Sequence, residues 1–473
     1  MNELITKKTF RDIIRKKQNL FILLGVWLIS ILSCFINYTQ FTTHATSVEA
    51  HRVEVREKWE NRPDKHPHRM AHYGYLVFRL AHPMSILDKG LDDYLGNIIF
   101  LEAHKQNTAN ISEANSSGVL VRFGVFTPAF ILQVLLPLII FFVGFNLITK
   151  EKEDNTLKLL SIQGASKKAI ILGKVKGLWH YALLLSIPIF PILIGLISYS
   201  YLSTFSDILF RSLLILFSYA LFYFLLSSIV VGISTLSKNS SIALINLITI
   251  WLLMSIILPK AVQYTAQISY PIESRIAFES KLEKEILKVG DSHNPNDPYF
   301  SHIKDSLLNH YNVDNVNKLP FNYGGFIMKQ GEKISTGIYN AKMKELEDTF
   351  EKQYQITQYS SYFNPMTAIK SFSTTVCATD YYAYKMFQNQ AEEYRYKLAQ
   401  YMNDLQIEHI SNDKSKNEII SQENWKNLPD FKYQYTGLLT SLQTQLTTCF
   451  APVFWFAISL LIILLSIKKL KFN

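Results

Sequence analysis

The sequence predicts a mainly α membrane protein with six transmembrane helices and two large extracytoplasmic insertions, the larger one helical. Three observations carry this. Several stretches of twenty or so residues hold no charge at all. Charged residues make up only 18% of the chain, against about 25% in a soluble domain. Lys and Arg collect beside alternate ends of the apolar runs, as they do where a chain threads a membrane.

Residues 1–19 combine Lys7, Lys8, Arg11, Arg15, Lys16 and Lys17 with Leu4, Ile5, Phe10, Ile13 and Ile14, a basic amphipathic segment suited to an interface. The first span is expected at 20–38, followed by an insertion at 39–125. The second, at 126–148, is the clearest: no charge occurs from Phe123 to Thr149, a helix about 40 Å long against a hydrocarbon core of about 30 Å. A polar loop at 149–177 leads to spans at 178–200, 208–236 and 241–259. The second insertion occupies 260–446, the last span 447–467 and a tail 468–473. The runs lack the alternation of barrel strands, so helices are the expected spanning form.

With six spans, residues 1–19, the 149–177 loop, the 237–240 turn and the tail all fall on one side. Together they hold 17 basic and five acidic residues, whereas the remainder is nearly neutral. The net charge of +10 is therefore an orientation signal that places both termini in the cytoplasm, and not a nucleic-acid footprint. Three cysteines, Cys34, Cys377 and Cys449, are too few for a disulfide framework.

Several chemistries are disfavoured. Between Asp154 and Glu273 the sole acid is Asp207, at a helix end with Arg211 one turn on, so the spans carry no carboxylate for ion coupling. Asp207 and Arg211 read as an i, i+4 pair, and His180 as an interfacial side chain. No His-Glu-x-x-His and no Gly-x-x-x-x-Gly-Lys-Ser/Thr loop occurs, so the chain carries no site of its own for catalysis or for ATP.

The 149–177 loop reads Glu151-Lys152-Glu153-Asp154-Asn155-Thr156-Leu157-Lys158-Leu159-Leu160 and runs on to Gly173-Lys174. Asp154 or Asn155 can cap a short helix with an apolar face of Leu157 and Leu160, extended by Ile162, which Gly164 ends. Such a helix is either a docking element or a turn lying on lipid headgroups. The six spans, the amphipathic start and this acidic-Asn-Thr-Leu-x-Leu-Leu loop resemble the permease subunit of type-2 ABC exporters. That resemblance implies a coupling role toward an ATPase subunit for Glu151, Glu153, Asp154, Asn155, Thr156, Leu157 and Leu160, and an elbow helix for 1–19.

The insertions extend it. Pro67-His68-Arg69-Met70-Ala71-His72-Tyr73-Gly74, Leu87-Asp88-Lys89-Gly90, Tyr94-Leu95-Gly96, Leu101 to Asn107, and Asn364-Pro365 with Asp380, Phe387 and Glu393-Tyr394-Arg395 resemble a bacterial subgroup with two large extracytoplasmic insertions. Lys89 stands where that subgroup suggests Pro, which bears on the rigidity of the turn. The implied partners are two copies of an ABC ATPase carrying ATP and Mg, a second permease copy or paralogue, membrane lipids and a periplasmic partner. The implied location is the bacterial inner membrane.

Seven of the 12 histidines fall within 39–125. His66, His68 and His72, completed by Glu102 or His104, have the donors for zinc or copper, but their spacing matches no strong signature and structural hydrogen bonding is the expectation. In the larger insertion, helices are expected near 273–289, 326–359 and 376–409, with Tyr339, Met343, Leu346, Phe350 and Tyr354 as the core stripe of a packed hairpin. The function expected is the permease of an ATP-driven exporter. A membrane scaffold or sensor, and metal handling for maturation of a copper enzyme, are the alternatives.

Overall fold

The computed structural model describes residues 1–108, 126–200, 205–290, 294, 297–413 and 418–472. Among them are six helices long and apolar enough to cross a membrane: Lys17–Glu60, Pro128–Glu153, Lys167–Ser198, Phe205–Leu236, Ser240–Ser269 and Leu446–Lys469. The rest of the first insertion, 109–125, and most of the loop between the third and fourth spans lie outside the described residues.

Prolines set the internal breaks of these helices. Pro137 and Pro259 each lack an N–H for the helical ladder, and each follows a π-helical segment, Ile131–Leu135 and Leu253–Ile257, that absorbs the missing bond. Pro188 separates Lys167–Ser186 from Ile189–Ser200 in the third span.

Helix ends differ from the sequence expectation in three places. The helix that holds the first span continues past 38 to Glu60, because nothing after Tyr38 breaks it and the pairs Glu49–Arg52, Glu54–Lys58 and Arg56–Glu60 support its polar part. At 44 residues it is roughly 66 Å long, about twice what a bilayer core needs. The fifth helix likewise continues past 259 to Ser269. The helix expected at 376–409 is two: Pro365–Cys377, closed by Ala378 at φ 56°, and Tyr381–His409, capped by Asp380 accepting from Ala383 N.

The four basic segments gather at one end. Asn2–Arg15 lies along the third span, with Gly173 and Gly177 giving the close approach: a Cβ on either would stand 2.5 or 2.6 Å from Ile5 or Thr9. Ile5, Leu157, Ile170, Val175, Ile463 and Leu470 form the apolar core of that end.

The two insertions fold together as one lobe at the other end. Strands β1 (Tyr75–Phe78) and β2 (Ile98–Leu101) pair antiparallel, with Tyr75 opposite Leu101 and Phe78 opposite Ile98. Trp59, Met70, Phe387, Met402 and Trp425 pack beneath them, drawn from both insertions. Trp59 Nε1 donates to Trp425 O at 3.2 Å, so the far end of the first helix is built into the lobe.

Buried polar contacts join lobe to spans. Arg211 in the fourth span donates to Asp207 at 2.7 Å, and also to the carbonyls of Val376 at 2.7 Å and Thr436 at 3.2 Å. The expected i, i+4 pair is thus present, with Arg211 buried and bridging to the lobe and Asp207 half-buried. Asp88 accepts from Gln133 of the second span at 3.0 Å and from Ser373 at 2.6 Å. Its other oxygen accepts from Gly90 N at 3.1 Å, and Gly90, at φ 51°, has Thr379 O against it where a Cβ would go. The turn is fixed by this bond and by Lys89–Asp93 at 3.3 Å, which do the work that a Pro at 89 would do.

Candidate functional site

The 149–177 loop folds as two short helices, Thr149–Glu153 and Thr156–Ile162, with Asn155 between them at φ 54°. Asn155 stands at the N-cap position of the second helix in the left-handed conformation that Asn tolerates, without a side-chain cap bond, and Asp154 closes the preceding helix. Gly164 at φ 87° ends the pair as expected.

The apolar face is also turned. Leu157 is 2% exposed and belongs to the core with Ile148 and Ile170, and Leu160 packs against that core. Leu159 at 55% and Ile162 at 82% exposure are the apolar side chains that face outward. Spacing alone does not choose between the two stripes, because both are helical and only the packing partner differs.

The acidic residues anchor this loop. Glu151 pairs with Lys174 of the third span. Glu153 accepts from Ser240 N at 2.7 Å and Ser240 Oγ at 2.9 Å at the start of the fifth span, and Lys152 reaches the carbonyls of Thr235 and Ser237 at 2.5 and 3.3 Å. Thr156 donates to Glu151 O at 3.4 Å, and Asp154 remains exposed. His180 sits exposed at the same end, edge-on to Phe10 with ring centroids 6.2 Å apart.

In the lobe, Tyr339, Met343, Leu346 and Phe350 are not a closed core stripe. They line a cavity of about 790 Å³ against Phe278, Leu282 and Ile286 of the Arg275–Val289 helix. The stripe packs against this short third helix rather than being sealed within a two-helix hairpin. Lys105, Arg275 and Glu279 stand at its border.

Three of the histidines for which structural hydrogen bonding was expected come together. His68 and His72 stand one turn apart at the Pro67–Ala71 helix, Nε2 to Nε2 3.2 Å. His104 joins them from a tight turn after β2, closed by the Glu102–Lys105 bridge, with its own φ at 64°. One ligand nitrogen from each lies within 4.8 Å of the others. His66 and Glu102 stand apart: His66 Nδ1 caps the helix by accepting from His68 N, and Glu102 accepts from Asn107.

Behind His104, Nδ1 lies 2.9 Å from Glu332 Oε2, which also accepts from His104 N at 3.2 Å. Glu332 is fully buried, and its Oε1 accepts from Arg395 at 2.6 Å and Thr336 at 3.1 Å. Burial would raise this carboxyl, but the His104 bond and the Arg395 charge hold it down at about 2.

A family model described as a domain of unknown function, DUF3526, matches residues 275–434, about a third of the chain. The match takes in most of the cavity wall, Glu332 and Arg395. No curated protein matches the chain.

Proposed function

We propose that the chain is the membrane subunit of an ATP-driven exporter of the type-2 ABC class. It works in the bacterial inner membrane with both termini in the cytoplasm, paired with a second permease copy or paralogue and with two copies of a separate ATPase. The observation that carries this reading is the Thr156–Ile162 helix, which turns Leu159 and Ile162 outward at the basic end of the span bundle.

Exposed apolar side chains on a helix this short need a partner, and a docked ATPase supplies one. The anchoring explains how force would pass inward. Glu151 holds the third span, Lys152 the end of the fourth and Glu153 the start of the fifth. Displacement of the loop by ATP and Mg on the partner therefore moves three spans together. Arg211 and Asp88 carry the motion into the lobe. The fifth span has only 11% of its apolar window buried, which leaves a face for lipid or for the second permease copy.

The test is assembly with an ATP-binding-cassette ATPase co-expressed with this chain. A Leu159→Asp, Ile162→Asp variant is expected to insert and fold but to lose the ATPase and its stimulated hydrolysis. Undiminished assembly and hydrolysis in that variant would overturn the docking assignment.

A further inference from the structure

We propose that His68, His72 and His104 form a three-imidazole site for one borderline divalent cation, with Zn²⁺ as the reference ion, and that Glu332 is its positioning residue. A tetrahedral ion about 2.05 Å from each nitrogen holds those nitrogens about 3.3 Å apart. His68 and His72 already stand at 3.2 Å, and a His104 nitrogen lies within 4.8 Å of both.

The orientation of His104 separates this cluster from a chance meeting of histidines. Glu332 engages Nδ1, which leaves Nε2 as the ligand nitrogen. A buried carboxylate bonded to the second ring nitrogen fixes the tautomer and makes the imidazole a stronger donor, the arrangement that recurs behind metal-bound histidine. Glu332 is itself held by Arg395 and Thr336, and Arg395 is held by Glu392 at 2.8 Å, so the support is rigid for two shells. His104 keeps a backbone conformation uncommon for a non-glycine residue, and the geometry is maintained by its surroundings.

The donor set selects the ion. Three neutral imidazoles with no carboxylate or thiolate among them suit Zn²⁺ or Cu²⁺ and not Ca²⁺ or Mg²⁺. His72 is exposed and the other two half-buried, so the fourth coordination position opens to solvent or to an incoming ligand. His68, His72 and His104 all belong to the first insertion and Glu332 to the second, so the ion ties the first insertion to itself, reaches the seam through the His104–Glu332 bond, and stabilises the folded lobe by mass action.

The experiment uses the full-length, tag-free protein in detergent, without any ATPase, so its outcome is separate from that of the docking reading. Zn²⁺ is titrated in competition with a chromophoric chelator, and Co²⁺ is used for its visible spectrum. The wild type is expected to take one Zn²⁺ per chain and to give the intense absorption of four-coordinate Co²⁺. His72→Ala, at an exposed position, is expected to weaken binding at least 100-fold, and Glu332→Gln about 10–100-fold. His302→Ala, at an exposed position in the second insertion, leaves it unchanged. No uptake by the folded wild type at micromolar Zn²⁺, or equal uptake by His72→Ala, would overturn the site.

Discussion

His104 and Glu332 are 228 residues apart and meet at 2.9 Å across the seam between the two insertions. With Trp59 donating to Trp425, and Lys65 exchanging backbone bonds with Ile420, this contact makes one body of two segments separated by four spans. The buried centre of that body is ionic: Glu332, Arg395 and Glu392 share one network with no water-facing exit for Glu332.

Removing Arg395 is therefore expected to damage the lobe selectively. Arg395→Leu leaves Glu332 buried without its counter-ion, a change that costs about 3–5 kcal/mol where a buried pair is broken. Lobe unfolding followed by Trp59 and Trp425 fluorescence should shift to lower temperature, with the helical signal of the spans retained. An unshifted transition would mean that the pair is solvated in the protein as it exists.

Leu157 and Leu159 are two residues apart and should behave oppositely. Leu157→Ala empties a buried site and is expected to cost about 2–4 kcal/mol, seen as lower yield and lower thermal stability. Leu159→Ala sits on the exposed side and should change stability by less than about 0.5 kcal/mol while weakening ATPase assembly. Reversed outcomes would show that the loop helix is rotated.

That contrast marks where the sequence was legible and where it was not. Spans were readable because charge is excluded from lipid, and the basic segments could be assigned to one side because they alternate with them. The end of the first helix was not, since lipid and solvent portions are both good helix and only Trp59 in the lobe core fixes its length. The loop helix was legible but the outward turn of Leu159 was not, because Leu157 and Leu159 differ only in what packs against them. For the histidines, spacing could pair His68 with His72, but the turn that brings in His104 and the carboxylate behind it come from distant segments.

Gly177 is expected to be intolerant of bulk. Its missing side chain lets Asn2–Arg15 lie against the third span with Thr9 where a Cβ would stand, 2.6 Å away. Gly177→Val forces the helices apart, at about 1–3 kcal/mol for overpacking. Trypsin should then cut sooner at Lys7, Lys8 and Arg11, whereas Gly195→Val, with open space around it, should leave the digestion rate unchanged.

The last prediction concerns pH. His82 is buried where the lobe meets the spans, its Nδ1 accepting from Met84 N at 3.2 Å and its Nε2 3.2 Å from Asp207, with Arg211 and Tyr435 beside it. The neutral tautomer with hydrogen on Nε2 satisfies both neighbours, while a second proton would point at the Met84 N–H. Burial lowers the His82 pKa below 6.5, opposed by the Asp207 hydrogen bond and reinforced by Arg211. In the window between the lowered folded value and 6.5, the unfolded chain binds the proton and the folded one does not, so stability rises with pH there and is lost on acidification. Thermal unfolding should therefore move to lower temperature from pH 7.5 to pH 5.5, about two pH units spanning an ordinary histidine. His82→Asn should start less stable at pH 7.5 but fall less steeply, because the titrating ring is gone. An equal fall in both proteins would assign the acid sensitivity to other groups.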